Sequence, residues 1–152
     1  MYVSLRKFKP KGTTITAQNT KNFWKPISGY CSKMRPDIVM NKDKTNCIVL
    51  DTKWKHLHGH NPTSEDLRQM FVYMKFYSSH RAALIYPGNE YRIQSGTYYH
   101  EASGELGINE CSVISIAVNE DIRVWQKQLY DQVCNFFEFN EDAQADNKAY
   151  SA

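Results

Sequence analysis

The sequence predicts an α/β (α+β) fold with a mixed central β-sheet flanked by helices, and three observations predict it. Two β-rich apolar runs, residues 35–40 and 47–54, are joined by Asn41-Lys42-Asp43-Lys44-Thr45-Asn46, a polar stretch with the chemistry of an antiparallel turn. A strongly periodic helix follows them, and further β-rich runs follow the helix. The order is not a regular βαβ alternation, and neither GxGxxG nor GxxxxGK(S/T) occurs, so a simple dinucleotide-binding sheet or a phosphate-cradling glycine loop is excluded.

Each element has its own warrant. In residues 2–8, Val3, Leu5 and Phe8 sit among polar neighbours, which fits a short helix better than a strand, and Pro10-Lys11-Gly12 ends the segment. Residues 13–18 are rich in β-branched side chains and read as a strand. A long polar connection containing Trp24, Pro26 and Gly29 leads to the two strands of the hairpin. The next helix opens at Asn61-Pro62-Thr63-Ser64-Glu65-Asp66. Thr63 or Ser64 caps it, acidic residues suit its first turn, and Leu67, Met70, Phe71, Met74 and Tyr77 recur at helical spacing. Strands are predicted at 81–86, stopped by Pro87-Gly88, then at 91–99 and 112–118, with a loop over 101–110. Ile122, Val124, Trp125, Leu129, Val133 and Phe136 predict a closing amphipathic helix over 120–137. Trp54, Phe71, Phe76, Tyr86 and Trp125 are read as core aromatics.

A chain of 152 residues with 41% hydrophobic and 23% charged residues is the size of one domain and carries enough apolar material for a core. Residues 1–139 are assigned to that domain, and the polar, acidic residues 140–152 to a disordered tail. No apolar run approaches the roughly 20 residues that cross a bilayer, and the N-terminus lacks a signal-like stretch, so a cytoplasmic protein without membrane contact is expected. Cys31, Cys47, Cys111 and Cys134 form no CxxC pair and are expected to be reduced thiols. His56, His58 and His60 alternate around a loop, and no Cys or carboxylate completes a zinc set there. The net charge is +3, but basic residues gather in the first sixty positions, where only Asp37, Asp43 and Asp51 are acidic. Such a half attracts phosphate.

Chemistry is concentrated at the hairpin. Pro36-Asp37 begins its first strand and Asp51-Thr52-Lys53 ends its second. Asp51 and Lys53, two apart on a strand, share a face. If pairing sets Asp37 beside Asp51, two carboxylates and an ammonium converge, an arrangement that a divalent cation stabilises. Hard oxygen donors suit Mg²⁺ or Mn²⁺, which work with phosphate substrates and so point to phosphodiester hydrolysis.

Pro36-Asp37, thirteen further residues and then Asp51-Thr52-Lys53 resemble the PD-(D/E)XK nuclease motif, whose core is restriction-endonuclease-like. Gln69-Met70-Phe71-Val72-Tyr73 matches the QxxxY pattern of one branch of that superfamily. The segments Met34-Arg35-Pro36-Asp37-Ile38-Val39, Leu50-Asp51-Thr52-Lys53-Trp54-Lys55, Asp66 to Tyr73 and Leu84-Ile85-Tyr86-Pro87 are similar to the McrC nuclease-subunit family of McrBC-type restriction systems, over roughly residues 1–138. The resemblance implies a Mg²⁺-dependent deoxyribonuclease with Asp37, Asp51 and Lys53 catalytic. It also makes Asp37, Asp51 and the Thr52 carbonyl metal ligands, with Gln69 and Tyr73 as auxiliary groups. Lys55, His56 and Arg35 are candidate DNA contacts. It implies a GTP-dependent McrB-like motor as partner and DNA carrying modified cytosine as target. Self-association is a further expectation, since cutting two strands takes two sites. Family members carry an N-terminal motor-contacting region for which this chain has no room, so an N-terminal truncation is expected. They also have a helix that often supplies a glutamate before the first strand, whereas residues 2–8 carry no acidic side chain. Two other functions compete: a noncatalytic DNA-binding or assembly module, and a stand-alone repair or junction nuclease.

Overall fold

The computed structural model describes residues 5–6, 12–55, 57, 61–117, 121, 123–124, 127–128, 130–133 and 135–136. The chain divides into two compact units, Met1–Phe8 with Asn119–Ala152, and Lys9–Val118. In the first unit, Leu5 and Arg6 are helical, as are residues 123–124, 127–128, 130–133 and 135–136, within the two segments expected to be helices. Leu5, Val133 and Phe136 are buried there. Trp125 and the tail 140–152 lie outside the described residues.

Among the described residues, the second unit holds eight strands and a helix: β1 (Ile15–Ala17), β2 (Lys21–Trp24), β3 (Ser32–Met34), β4 (Ile38–Met40), β5 (Ile48–Thr52), α1 (Ser64–Tyr77), β6 (Arg81–Gly88), β7 (Arg92–Tyr99) and β8 (Leu106–Ala117). Six strands form one sheet in the order β1-β4-β5-β6-β8-β7, and β2 pairs with β3 separately. β5–β6 and β6–β8 are parallel, while β1–β4, β4–β5 and β7–β8 are antiparallel, so the sheet is mixed as predicted.

The central strands β4 and β5 bury nearly every residue, which is why they read as continuous apolar runs rather than alternating ones. The turn between them bends through positive φ at Asn41 and Asp43, residue types that tolerate this region. Asn41 also accepts the Thr14 amide on Oδ1 at 3.1 Å, tying the turn to β1. Helix α1 starts at Thr63, one of its two candidate caps, whose hydroxyl accepts the Asp66 amide at 3.2 Å. It ends at Ser78 in the left-handed conformation. The helix packs on β5, β6 and β8 through Met70, Tyr73, Met74 and Tyr77, which join Val49, Leu84 and Val113 in the core.

The structure corrects several expectations. The polar connection before the hairpin contains β2 and β3, which have little burial to mark them: Lys21–Trp24 is mostly exposed, and of Ser32–Met34 only Met34 is buried. β6 runs through Pro87-Gly88, because β5 pairs no further than Ile85 and a proline beyond that point breaks no ladder bond on that side. Gly88 leaves room there for the Ser115 hydroxyl on β8, which a Cβ would meet at 1.9 Å and displace. β8 begins at Leu106, inside the segment read as a loop, because its first half pairs with β7 away from the core and leaves Leu106 and Ile108 exposed. Tyr86 is buried and Phe71 partly so. Trp54 lies past the end of β5 and is 83% exposed, and Phe76 is 38% exposed on α1, so neither is a core residue.

Candidate active site

Strand register sets the site. β4 and β5 pair Ile38 with Leu50 and Val39 with Val49, so continuing the ladder by one residue puts Asp37 opposite Asp51 at the end of the hairpin. Asp37 is fixed there by Thr52, whose amide donates to its Oδ2 at 2.8 Å and whose hydroxyl donates to the same oxygen. Since the N–H and C=O of a strand residue point to the same side, the Thr52 carbonyl also faces the Asp37 side of β5. The next amide, Lys53, donates to Ile85 O on the opposite side at 2.8 Å, consistent with that alternation.

Lys53 is the centre of the polar network. Its Nζ lies 2.8 Å from Asp51 Oδ2 and 3.3 Å from Asp66 Oδ1, and donates to Gln69 Oε1 at 2.5 Å. Gln69 Nε2 in turn donates to the Tyr73 hydroxyl at 2.9 Å. One turn of α1 separates Gln69 from Tyr73, so both reach the strand end from one helical face. Every predicted catalytic and auxiliary residue in the described segments therefore meets in one place.

Burial sets the electrostatics. It raises the Asp51 carboxyl above its ordinary value; Lys53 opposes this, and the nearby Asp37 carboxylate adds to the rise. Burial lowers the Lys53 ammonium, but Asp51 and Asp66 outweigh it and leave the group above its ordinary value. Burial also raises the Tyr73 hydroxyl.

Asp66 is the site residue that sequence reasoning missed. The sequence gives it no site role beyond the acidic first turn of the helix, yet it is 5% exposed and binds at several points. Its Oδ2 accepts from Thr63 Oγ1 at 2.8 Å, from Tyr86 OH at 2.9 Å and from Lys55 at 2.6 Å, while its Oδ1 faces Lys53. Burial would raise this carboxyl, but Lys55, Thr63, Tyr86 and Lys53 together hold it well below the usual carboxylate range. The signal that could have found it is spacing: Asp66, Gln69 and Tyr73 lie on one face of a single helix.

A divalent cation is the group that the resemblance implies, and the donors fit one. Asp37 and Asp51 supply hard carboxylate oxygens, and Thr52 adds a carbonyl on the same side. The repulsion that contributes to raising Asp51 is the kind a cation relieves. Among the described residues no group of three His, Cys, Asp or Glu side chains could hold a metal. One or two carboxylates completed by water and substrate phosphate are a normal set for Mg²⁺, which needs no such cluster. Of the candidate DNA contacts, Lys55 is half exposed and ion-paired with Asp66, Arg35 is exposed on a groove beside Gln69 and Tyr73, and His56 lies outside the described residues. So do His58 and His60. Cys31, Cys47 and Cys111 are free thiols, and Cys134 lies outside the described residues.

Comparison with known proteins gives three findings. A family model described as McrBC 5-methylcytosine restriction system component matches residues 1–87. No curated protein matches the chain. Among solved structures, the chain is similar to a chain of the refined half-complex from the tetradecameric assembly of Thermococcus gammatolerans McrB AAA+ hexamers with bound McrC. The TM-score is 0.59 at 18% identity, covering 88% of this chain and 30% of that one. The mixed-sheet α/β class expected from the sequence is the fold observed, and that solved chain shares it.

Proposed function

The chain belongs to the McrBC 5-methylcytosine restriction system component family, and from that premise we propose that it is the DNA-cleaving subunit of such a system, a metal-dependent endonuclease of the McrC type. The observation that carries this reading is the convergence of Asp37, Asp51 and Lys53 at the end of β5, with Gln69 on the lysine.

Asp37, Asp51 and the Thr52 carbonyl would hold Mg²⁺ or Mn²⁺. When bound, the cation supplies the Lewis-acid charge that phosphodiester hydrolysis needs at neutral pH. The remaining roles belong to the protein's own side chains. Thr52 pins Asp37 in its binding orientation through two hydrogen bonds to Oδ2. Lys53 places its ammonium where negative charge develops on the scissile phosphate and stabilises it electrostatically. Gln69, itself oriented by Tyr73, keeps Lys53 aimed at that position.

The substrate under this reading is duplex DNA bearing modified cytosine, and the partner is a GTP-driven McrB-like motor that brings the nuclease to its target. Two copies of the site, from self-association or from the assembly, would cut the two strands. No helix among the described residues is long and apolar enough to cross a membrane, and a cytoplasmic restriction complex is the setting proposed. The test is cleavage of methylated plasmid in Mg²⁺ by the chain with and without an McrB-like partner and GTP. Methylation-dependent linear product that appears only with partner and GTP supports the subunit assignment. Equal cutting without the partner points instead to a stand-alone nuclease, and DNA binding without cutting under any condition to a noncatalytic module.

A further inference from the structure

A groove runs beside the candidate site, walled on one side by the β2–β3 hairpin and on the other by α1. Thr20, Phe23, Lys33 and Arg35 line the first wall, and Arg68, Gln69 and Tyr73 the second. Gln69 and Tyr73 belong to the polar network on Lys53, so the groove borders the candidate site. Three cations, Lys33, Arg35 and Arg68, line it against one acidic side chain, Glu65. All three are exposed.

The hairpin wall is held in place rather than draped. Lys21 donates to Phe76 O at 2.5 Å and lies over the Tyr77 ring at 4.6 Å, Tyr77 OH donates to Asn19 O at 2.6 Å, and the Phe23 and Phe76 rings pack 5.7 Å apart. Met34 anchors β3 in the core. The β2–β3 register is irregular between Asn22 and Trp24, which sets Phe23 at the irregularity, half-exposed on the groove. A preformed, cationic groove with an aromatic side chain, bordering the polar network on Lys53, has the chemistry of a nucleic-acid strand site.

We propose that this groove holds one strand of the DNA substrate and leads it to the reaction centre, with Lys33, Arg35 and Arg68 on the phosphates and Phe23 against a sugar or base. The proposal rests on the nuclease reading, and it assigns the hairpin a function in substrate positioning.

The test measures binding apart from cutting. The full 152-residue chain is titrated against a fluorescently labelled duplex in EDTA, where no strand is cleaved, over a range of salt concentrations. The Lys33→Ala/Arg68→Ala variant is expected to bind about tenfold more weakly, with the slope of log affinity against log salt reduced by about two. The Lys33→Arg/Arg68→Lys variant should bind as wild type. The charge-matched control Lys42→Ala/Lys44→Ala, in the β4–β5 turn, should also bind as wild type, and circular dichroism confirms that each variant folds. Three outcomes overturn the proposal: wild type fails to bind the duplex, the groove variant binds as wild type, or the control loses as much affinity as the groove variant. Cutting of methylated plasmid in Mg²⁺ by the same preparations, supplied with the McrB-like partner and GTP, separates the two claims. Groove-dependent binding without cutting by wild type removes the nuclease reading and leaves the strand site standing.

Discussion

Asp66 shows how one side chain joins fold to site. It receives the N-cap hydroxyl of its own helix, the buried Tyr86 hydroxyl from β6 and the ammonium groups of Lys55 and Lys53. Removing the carboxylate leaves a buried hydroxyl without its acceptor and a partly buried lysine without one of its counterions, so Asp66→Ala should lower stability by about 3 kcal/mol in urea unfolding. The pH dependence has a definite sign. A carboxyl whose folded value is depressed adds stability that is present above its unfolded value of 3.8 and is lost as pH falls below it. Wild type should therefore lose more stability than Asp66→Asn when urea unfolding is compared at about pH 6 and about pH 3. Equal losses would show that Asp66 does not carry this linkage. The same residue marks a limit of sequence reading. Asp37 and Asp51 were legible because hairpin pairing and strand alternation are local rules, whereas the reach of Asp66 to Tyr86 depends on how α1 lies across β6, which no local pattern encodes.

At the scale of elements, burial decides what the sequence reveals. α1 was legible to within its cap because its buried residues recur at helical spacing and its ends carry specific capping chemistry. β4, β5 and the start of β6 were legible as dense apolar runs. The β2–β3 hairpin and the outer half of β8 were not, since Phe23, Trp24, Leu106 and Ile108 are all exposed and leave no burial signature. Those unannounced strands include the wall of the proposed strand groove, so the part of the site that would meet substrate is the part least written in hydrophobic pattern. The β6–β8 contact offers a test of packing. Gly88→Ala drives a methyl into Ser115 Oγ and should cost about 1–3 kcal/mol. Gly88→Ala/Ser115→Ala, which removes that oxygen, should recover most of the loss in a double-mutant cycle of unfolding free energies. A strictly additive result would locate the cost elsewhere.

For the whole molecule, family membership and fold agree: the family model spans residues 1–87, which carry the hairpin motif and the helix, and the structural likeness extends over 88% of the chain. The chain spans about 30% of the chain it resembles, so motor contacts and target choice are proposals that the assembled system must test. The central claim is narrower and belongs to this chain alone: two carboxylates hold a cation and one lysine acts on the phosphate. The measurement that tests it most directly pairs Mn²⁺ binding with plasmid cutting, under the partner and GTP conditions above, on the same preparations of wild type, Asp51→Ala and Lys53→Ala. Only wild type is expected to cut, and wild type and Lys53→Ala are expected to bind Mn²⁺ while Asp51→Ala is not. Cutting that survives in Asp51→Ala, or Mn²⁺ binding unchanged by that substitution, would contradict the central claim.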